Sequence, residues 1–258
     1  GIEPVNNAAS FVLGDSDGGL VVLSGATDIT DGAWHHVVAV RDRSLGANGQ
    51  NLLYVDGLLD VAALDATYND GFYSATAELN IGYWNFQSTT PSNHLGGKID
   101  EVALYDRALT AAEIEDHYND GLAGRDYCLS SAAFVPFPDD TISLWNLDEA
   151  NGPDYVDSFN GNDGTGNADP TAVTGQINGA QEFDGLTTGI DVPADSSFNW
   201  TVDESFTIEF WVRRNGAVGA EQVAIGRSAG PPGSSLTWWL GIEPVNNAAS
   251  FVLGDSDG

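Results

Sequence analysis

Apolar residues recur at every second position along much of this chain. Phe206, Ile208, Phe210 and Val212 share one side of the segment FTIEFWV, and WHHVVAV at Trp34–Val40 alternates likewise. A period of two marks a strand with one face against a core. Leu52–Val55 and Leu58–Leu59 flank Asp56-Gly57, a dipeptide that closes a tight hairpin. The same reading predicts strands at Gly19–Leu23, Glu78–Gly82, Ile99–Tyr105, Ser143–Leu147, Ala180–Phe183, Gly189–Val192, Gln222–Arg227, Leu236–Gly241 and Ser250–Gly254. Glycine, Asn and Asp punctuate these runs at regular intervals, which predicts an all-β fold, a two-sheet antiparallel sandwich.

One segment departs from the two-residue period. In Leu109-Thr110-Ala-Ala-Glu113-Ile114, Thr110 is placed to cap a helix, Glu113 to reach back, and Leu109 to staple onto Ile114. Tyr118 continues the apolar face and Gly121 is expected to end it, giving one short helix near 110–118. Periodicity then lapses through a stretch holding Cys128, Ser130, Ser131, Pro136 and Pro138. Residues 121–140 therefore read as a linker between 1–120 and 141–258.

Residues 1–18 recur letter for letter as residues 241–258. Self-similarity at a fixed long period indicates an array, here with a unit of 240 residues. On this reading neither end is a natural terminus. Residues 1–120 form the C-terminal part of one repeat, and 141–258 the N-terminal part of the next, or of the same repeat permuted. Two identical strands cannot fill one slot of a sheet. The repeat thus implies strand exchange through 1–18 and 241–258, a displaced copy, or a repetitive gene read in a circle.

Charge narrows the function. Eight Lys and Arg stand against 38 Asp and Glu, a formal net charge of −30. Nucleic-acid binding needs the opposite sign, and an anionic membrane would repel this surface. No apolar run is long enough for a membrane span. Asp dominates the acids and lies in many turns, which suits both a solvated acidic surface and hard-cation binding. The single cysteine, Cys128, makes no disulfide within one unit; it is a free or buried thiol, or pairs between units.

Several segments together resemble a known family: Leu144–Glu149 (LWNLDE), Gly179–Gly185 (GAQEFDG), Phe206–Val212, Gly32–Val37 (GAWHHV), Leu53–Gly57 (LYVDG) and Gly97–Leu109 (GKIDEVALYDRAL). They are similar to laminin-G-like domains of the concanavalin A-like lectin/glucanase jelly-roll superfamily, in circularly permuted order. The resemblance implies a jelly roll whose N- and C-terminal strands lie side by side, an extracellular or cell-surface setting, and roles in adhesion, glycan binding or architecture.

The resemblance also implies site residues. Related jelly rolls hold a structural calcium through the Asp that opens the last strand, here Asp100. Asp148, Asp157, Asn162 and Asp163 would complete its shell with hard oxygens, or the run 160–164 is only a turn. In calcium-dependent lectin relatives the loop after the IGYW-type strand carries ligands, which assigns Trp84, Asn85, Gln87 and Asn93 to a ligand-binding side. This loop and its partner, 228–235, are poor in carboxylates, unlike those relatives. Trp84, Trp238 and Trp239 would stack on sugar, or fill the core or a subunit contact. Asn199-Trp-Thr201 is a glycosylation sequon.

Glycosidases of this fold carry paired carboxylates along one strand face, whereas Glu209 stands alone on its strand. His35 and His36 face opposite sides of one strand, and His94 and His117 are isolated in the sequence. No catalytic residue is predicted. The expected function is a non-enzymatic extracellular structural or adhesive repeat, part of a tandem array or surface filament, with copies of itself as partners. A carbohydrate-binding module of a large exported protein is the alternative.

Overall fold

The computed structural model describes residues 8–14, 20–64, 71–85, 93–126, 140–229 and 236–244. The strands in chain order are β1 (Ala8–Gly14), β2 (Leu20–Asp28), β3 (Asp31–Asp42), β4 (Gln50–Val55), β5 (Leu58–Leu64), β6 (Leu79–Ile81) and β7 (Gly96–Tyr105). Helix α1 (Ala111–Leu122) follows, and then β8 (Thr141–Trp145), β9 (Asp154–Tyr155), β10 (Gly164–Asn167), β11 (Thr171–Thr174), β12 (Gly179–Asp184), β13 (Gly189–Val192), β14 (Phe206–Asn215), β15 (Gln222–Ala229) and β16 (Leu236–Ile242). They form two antiparallel sheets packed as a jelly-roll sandwich. One runs β2-β1-β16-β15-β6-β13-β10-β9, the other β11-β12-β7-β14-β3-β4-β5. β8 lies on the same edge of β7 as β12, but alongside its second half.

Strands from 8–105 and from 141–242 interleave in both sheets. β14 sits between β3 and β7, and β16 between β1 and β15. The alternating residues of β14 explain its central place. Phe206, Ile208, Phe210 and Val212 enter the inter-sheet core with Val37, Ala39, Leu53, Ile99 and Trp238.

Strand β3 shows where simple alternation fails. From His35 to Arg41 it is buried on both faces. Its other face lies under α1, in a second core made by Val38, Val40, Leu52, Tyr54, Tyr105, Leu109, Ile114, Leu144 and Trp211. The helix carries the capping box its sequence predicts: the Glu113 amide donates to Thr110, and the Thr110 amide to Glu113. It ends later than expected, with its C-cap at Ala123. Gly121 is not a stop. It lies buried inside the last turn, where a Cβ would overlap the Trp211 indole, and the left-handed residue is Gly124 (φ 66°). The Asp56-Gly57 hairpin is as predicted, with positive φ at both residues.

The repeated segment has one described copy in a strand. β1 pairs with β16 in the register Ala9↔Ile242, Ser10↔Gly241 and Phe11↔Leu240. Residues 8–14 are identical in sequence to 248–254. The predicted strand Ser250–Gly254, Cys128, Gln87 and most of the predicted linker lie outside the described residues. Among the described residues, no helix is long and apolar enough to cross a membrane.

Candidate functional site

The residues expected to bind calcium fall into two groups. Asp157 forms a closed turn lock. Its Oδ1 accepts from the Leu144 and Phe159 amides at 2.9 Å each, and its Oδ2 from those of Asn160 (3.2 Å) and Asn162 (3.0 Å). Asp163 accepts from the Asp157 amide, and Asn162 donates to Ser143 while its carbonyl receives the Trp145 indole. Both oxygens of Asp157 are therefore taken up in holding this loop.

Asp100 and Asp148 meet elsewhere, around the turn between β11 and β12. Asp100 lies within β7, not at its start. Its Oδ2 accepts from the Gln176 (2.8 Å) and Ile177 (2.9 Å) amides, while Oδ1 is buried without a hydrogen-bond partner. Asp148 accepts from the Gly179 amide at 2.6 Å. Next to Asp100, Glu101 holds a left-handed backbone (φ 51°), and both its oxygens accept from Asn146. Burial pushes Asp100 up to about 8. Burial, then the charge of Asp100, pushes Glu101 up to about 9. An orphaned buried oxygen beside a second buried carboxylate suits a divalent cation. Still, no three His, Cys, Asp or Glu side chains among the described residues converge as a metal-binding group. Backbone or solvent oxygens would have to supply the rest of the shell.

The expected ligand-binding residues also separate. Trp84, Trp238 and Trp239 are buried, so their ring faces offer no sugar platform. Asn85 lies in a polar cleft of about 240 Å³ with Thr76, Glu78, Asn80 and Ser228. Asn80 organises it, accepting from the Asn85 amide (3.1 Å) and donating to Asp191 (3.0 Å) and Tyr83 (3.1 Å). Ser228 Oγ is buried there without a hydrogen-bond partner among the described residues. Asn93 joins the opposite end of β15 instead, accepting from the Val223 amide and donating to Glu221. Five residues of strand separate Val223 from Ser228, about 16 Å at the usual rise. Asn199 is half-buried, and its Oδ1 receives both the Ser74 amide and the Arg227 guanidinium.

One cluster has no counterpart in the sequence reading. Glu209, taken there as alone, is fully buried beneath α1. It accepts from Tyr105 at 2.5 Å and bonds His36 (3.1 Å) and His117 (3.0 Å). Burial resists its ionisation, but the charge and hydrogen bond of His117 outweigh it and hold Glu209 far below the usual carboxylate range. Burial likewise opposes charging of His117, and Glu209 overcomes it, leaving that imidazole above its ordinary value. The group is enclosed between helix and sheet, so it pins the helix and has no room for a substrate.

No curated protein and no solved structure matches the chain. A laminin G family model, described as concanavalin A-like lectin/glucanases superfamily, matches residues 3–115. The matched stretch supplies β1 to β7 and opens α1, and both sheets of the sandwich are built around those strands. Residues 3–115 are thus similar to the laminin-G-like jelly rolls of the concanavalin A-like lectin/glucanase superfamily.

Proposed function

We propose that this chain spans one 240-residue period, with 18 residues of overlap, of a non-enzymatic, extracellular tandem-repeat protein whose jelly-roll units adhere to one another. The observation that carries the reading is the β1–β16 pairing. One slot beside β16 accepts residues 8–14, and an identical sequence follows β16 at 248–254. Main-chain hydrogen bonds along a sheet edge join chains without needing a new side-chain surface. Head-to-tail exchange of this kind does not close on itself and builds a filament. Residues 121–140 serve as the linker between consecutive units.

Truncation tests this. A chain lacking residues 1–14 should fold, because 248–254 can enter the slot as a hairpin. A chain lacking 245–258 should fold as a monomer. The intact chain, with two copies for one slot, should show a mass that rises with concentration in multi-angle light scattering. A monomeric intact chain together with an unfolded 1–14 deletion would refute the exchange.

A structural calcium belongs to the same proposal, held by Asp100 and Asp148 with Glu101 beside them. The motivation is the buried oxygen of Asp100 that lacks a partner. Bound there, a divalent cation would compensate Asp100 and Glu101, whose carboxyls burial pushes up. Millimolar calcium should raise the melting temperature by several degrees, and Asp100→Asn should remove that response. An unchanged melting curve with calcium and with chelator rejects the site.

The family match also favours a second reading, a glycan-binding module. The polar cleft around Asn80, Asn85 and Ser228 supports it, having amide, carboxylate and hydroxyl groups suited to sugar hydroxyls.

A further inference from the structure

All eight cationic side chains of this acidic protein can be accounted for. Arg43 pairs with Asp203, Arg107 with Glu113 and Asp140, and Arg125 with Asp120. Arg41 and Arg227 are buried and donate to backbone carbonyls. The remaining three, Lys98, Arg213 and Arg214, line a single open cleft of about 670 Å³ at one end of the β12-β7-β14 region. Among the described residues none of the three makes an ion pair. Arg213 donates its Nε–H to the Gly32 carbonyl, and its terminal nitrogens make no hydrogen bond among the described residues. Arg214 reaches the Gly96 carbonyl, and its Nε is buried without a hydrogen-bond partner.

With 38 acids available, three cations without a carboxylate partner in one place call for a partner from outside. Strand register shows how they are arrayed. Trp34 lies opposite Arg213, Arg213 opposite Lys98, Lys98 opposite Glu182, and Glu182 opposite Thr171. Residues directly opposite in antiparallel strands share a face. The row is therefore indole, guanidinium, ammonium, carboxylate, hydroxyl, on the helix-bearing side of the sheet. Trp34 is half-buried against the second core, and the rest of the row extends beyond it. Asp184, at the cleft edge, is taken up by its own turn, accepting from the Leu186, Thr187 and Thr188 amides.

We propose that this cleft binds a sugar bearing a single carboxylate, a uronic acid unit. Arg213 and Lys98 would hold its carboxylate, Trp34 would flank the ring, and Glu182 and Thr171 would take its hydroxyls. A guanidinium matches a carboxylate in bidentate fashion, and an indole face suits the apolar side of a sugar ring. The global charge of −30 selects for ligand size. At physiological salt a charge is felt over only about 8 Å, so one carboxylate in the cleft meets the cations, whereas a long polyanion extends over the acidic surface and is repelled. The proposal deepens the glycan-binding reading and is independent of strand exchange.

Calorimetric titration of the intact chain with galacturonate, its methyl ester and long polygalacturonate provides the test. Galacturonate should bind at least about tenfold more tightly than the ester, the usual scale of a charge-assisted hydrogen bond, and more tightly per site than the polymer. Arg213→Gln and Lys98→Met should each weaken it by about the same factor. Glu182→Gln should strengthen it, a gain that misfolding cannot produce. Equal affinity for acid and ester, or acid binding indifferent to Arg213→Gln and Lys98→Met, overturns the proposal. A neutral glycan bound at Asn85 with no preference for acid overturns it and leaves the glycan-binding reading standing. Absence of binding to every saccharide, acidic or neutral, removes both. Self-association that Arg213→Gln abolishes, without uronate binding, would assign the cleft to the acidic surface of another copy and overturn the sugar.

Discussion

Glu209 illustrates what single residues can and cannot disclose. In sequence it is one acid between two apolar neighbours, and His117 lies on a helix 92 residues away. The pairing exists only because α1 folds across β14, β3 and β7, and no local period encodes that approach. The pair fixes a pH dependence. Glu209 is depressed in the fold, so its contribution is present above the ordinary carboxylate range and lost as pH falls through the folded value. His117 is raised, so its contribution is full below the ordinary imidazole range and lost as pH rises through the folded value. His117→Gln should destabilise the protein by roughly 1–3 kcal/mol near pH 6, the usual cost of losing a hydrogen bond to a charged group, because Tyr105 and His36 still bond Glu209. Between pH 6 and 8.5 the variant should lose less stability than the parent. Chemical denaturation at several pH values reads this directly, and parallel pH curves would exclude a charged pair.

Among the elements, α1 was the easiest to recognise, since a capping box is local and its chemistry is complete within four residues. Thr110→Ala should cost about 1 kcal/mol. The end of the helix was harder. A glycine after an apolar run signals a stop, yet Gly121 is required for close approach to Trp211, a tertiary constraint. Gly121→Val should therefore cost more than helix propensity alone predicts, about 1–3 kcal/mol from overpacking, measurable as a lowered denaturation midpoint. The long strands were legible from alternation. Short β9, β10 and β11 were not, because GTGN and TAVT carry little side-chain pattern and are held by neighbouring strands. The site residues followed the same division. The run 160–164 was legible as a turn, whereas Asp157 was read only as a metal ligand, and the row from Trp34 to Thr171 depends on the register of five strands far apart in sequence.

For the whole molecule, three cations stand in one cleft and the other five are held by carboxylates or carbonyls, so most of the 38 acids repel one another across the surface. Self-repulsion of this kind weakens the compact state and is relieved by screening. Raising sodium chloride from about 0.05 to 0.5 M should increase the melting temperature by several degrees, because the Debye length shrinks several-fold over that range. A melting temperature that falls with salt would mean that the surface acids are compensated. The interleaving of 8–105 with 141–242 has no signature in any one segment. It rests on strand pairings between residues far apart in sequence, such as β14 with β3 and β7 and β16 with β1.

The pairing of β8 with β7 has a mechanical consequence. Tyr105 lies opposite Thr141, so the chain leaves β7 and enters β8 at the same end of the sandwich. Strung in an array, each unit would hang to one side of the thread like a pendant. Tension on the thread would then peel β8 from β7 one hydrogen bond at a time, beginning at Thr141, and would not load the pair in shear. Such units give way early and in succession, which makes the thread extensible under modest force while the sheets remain folded.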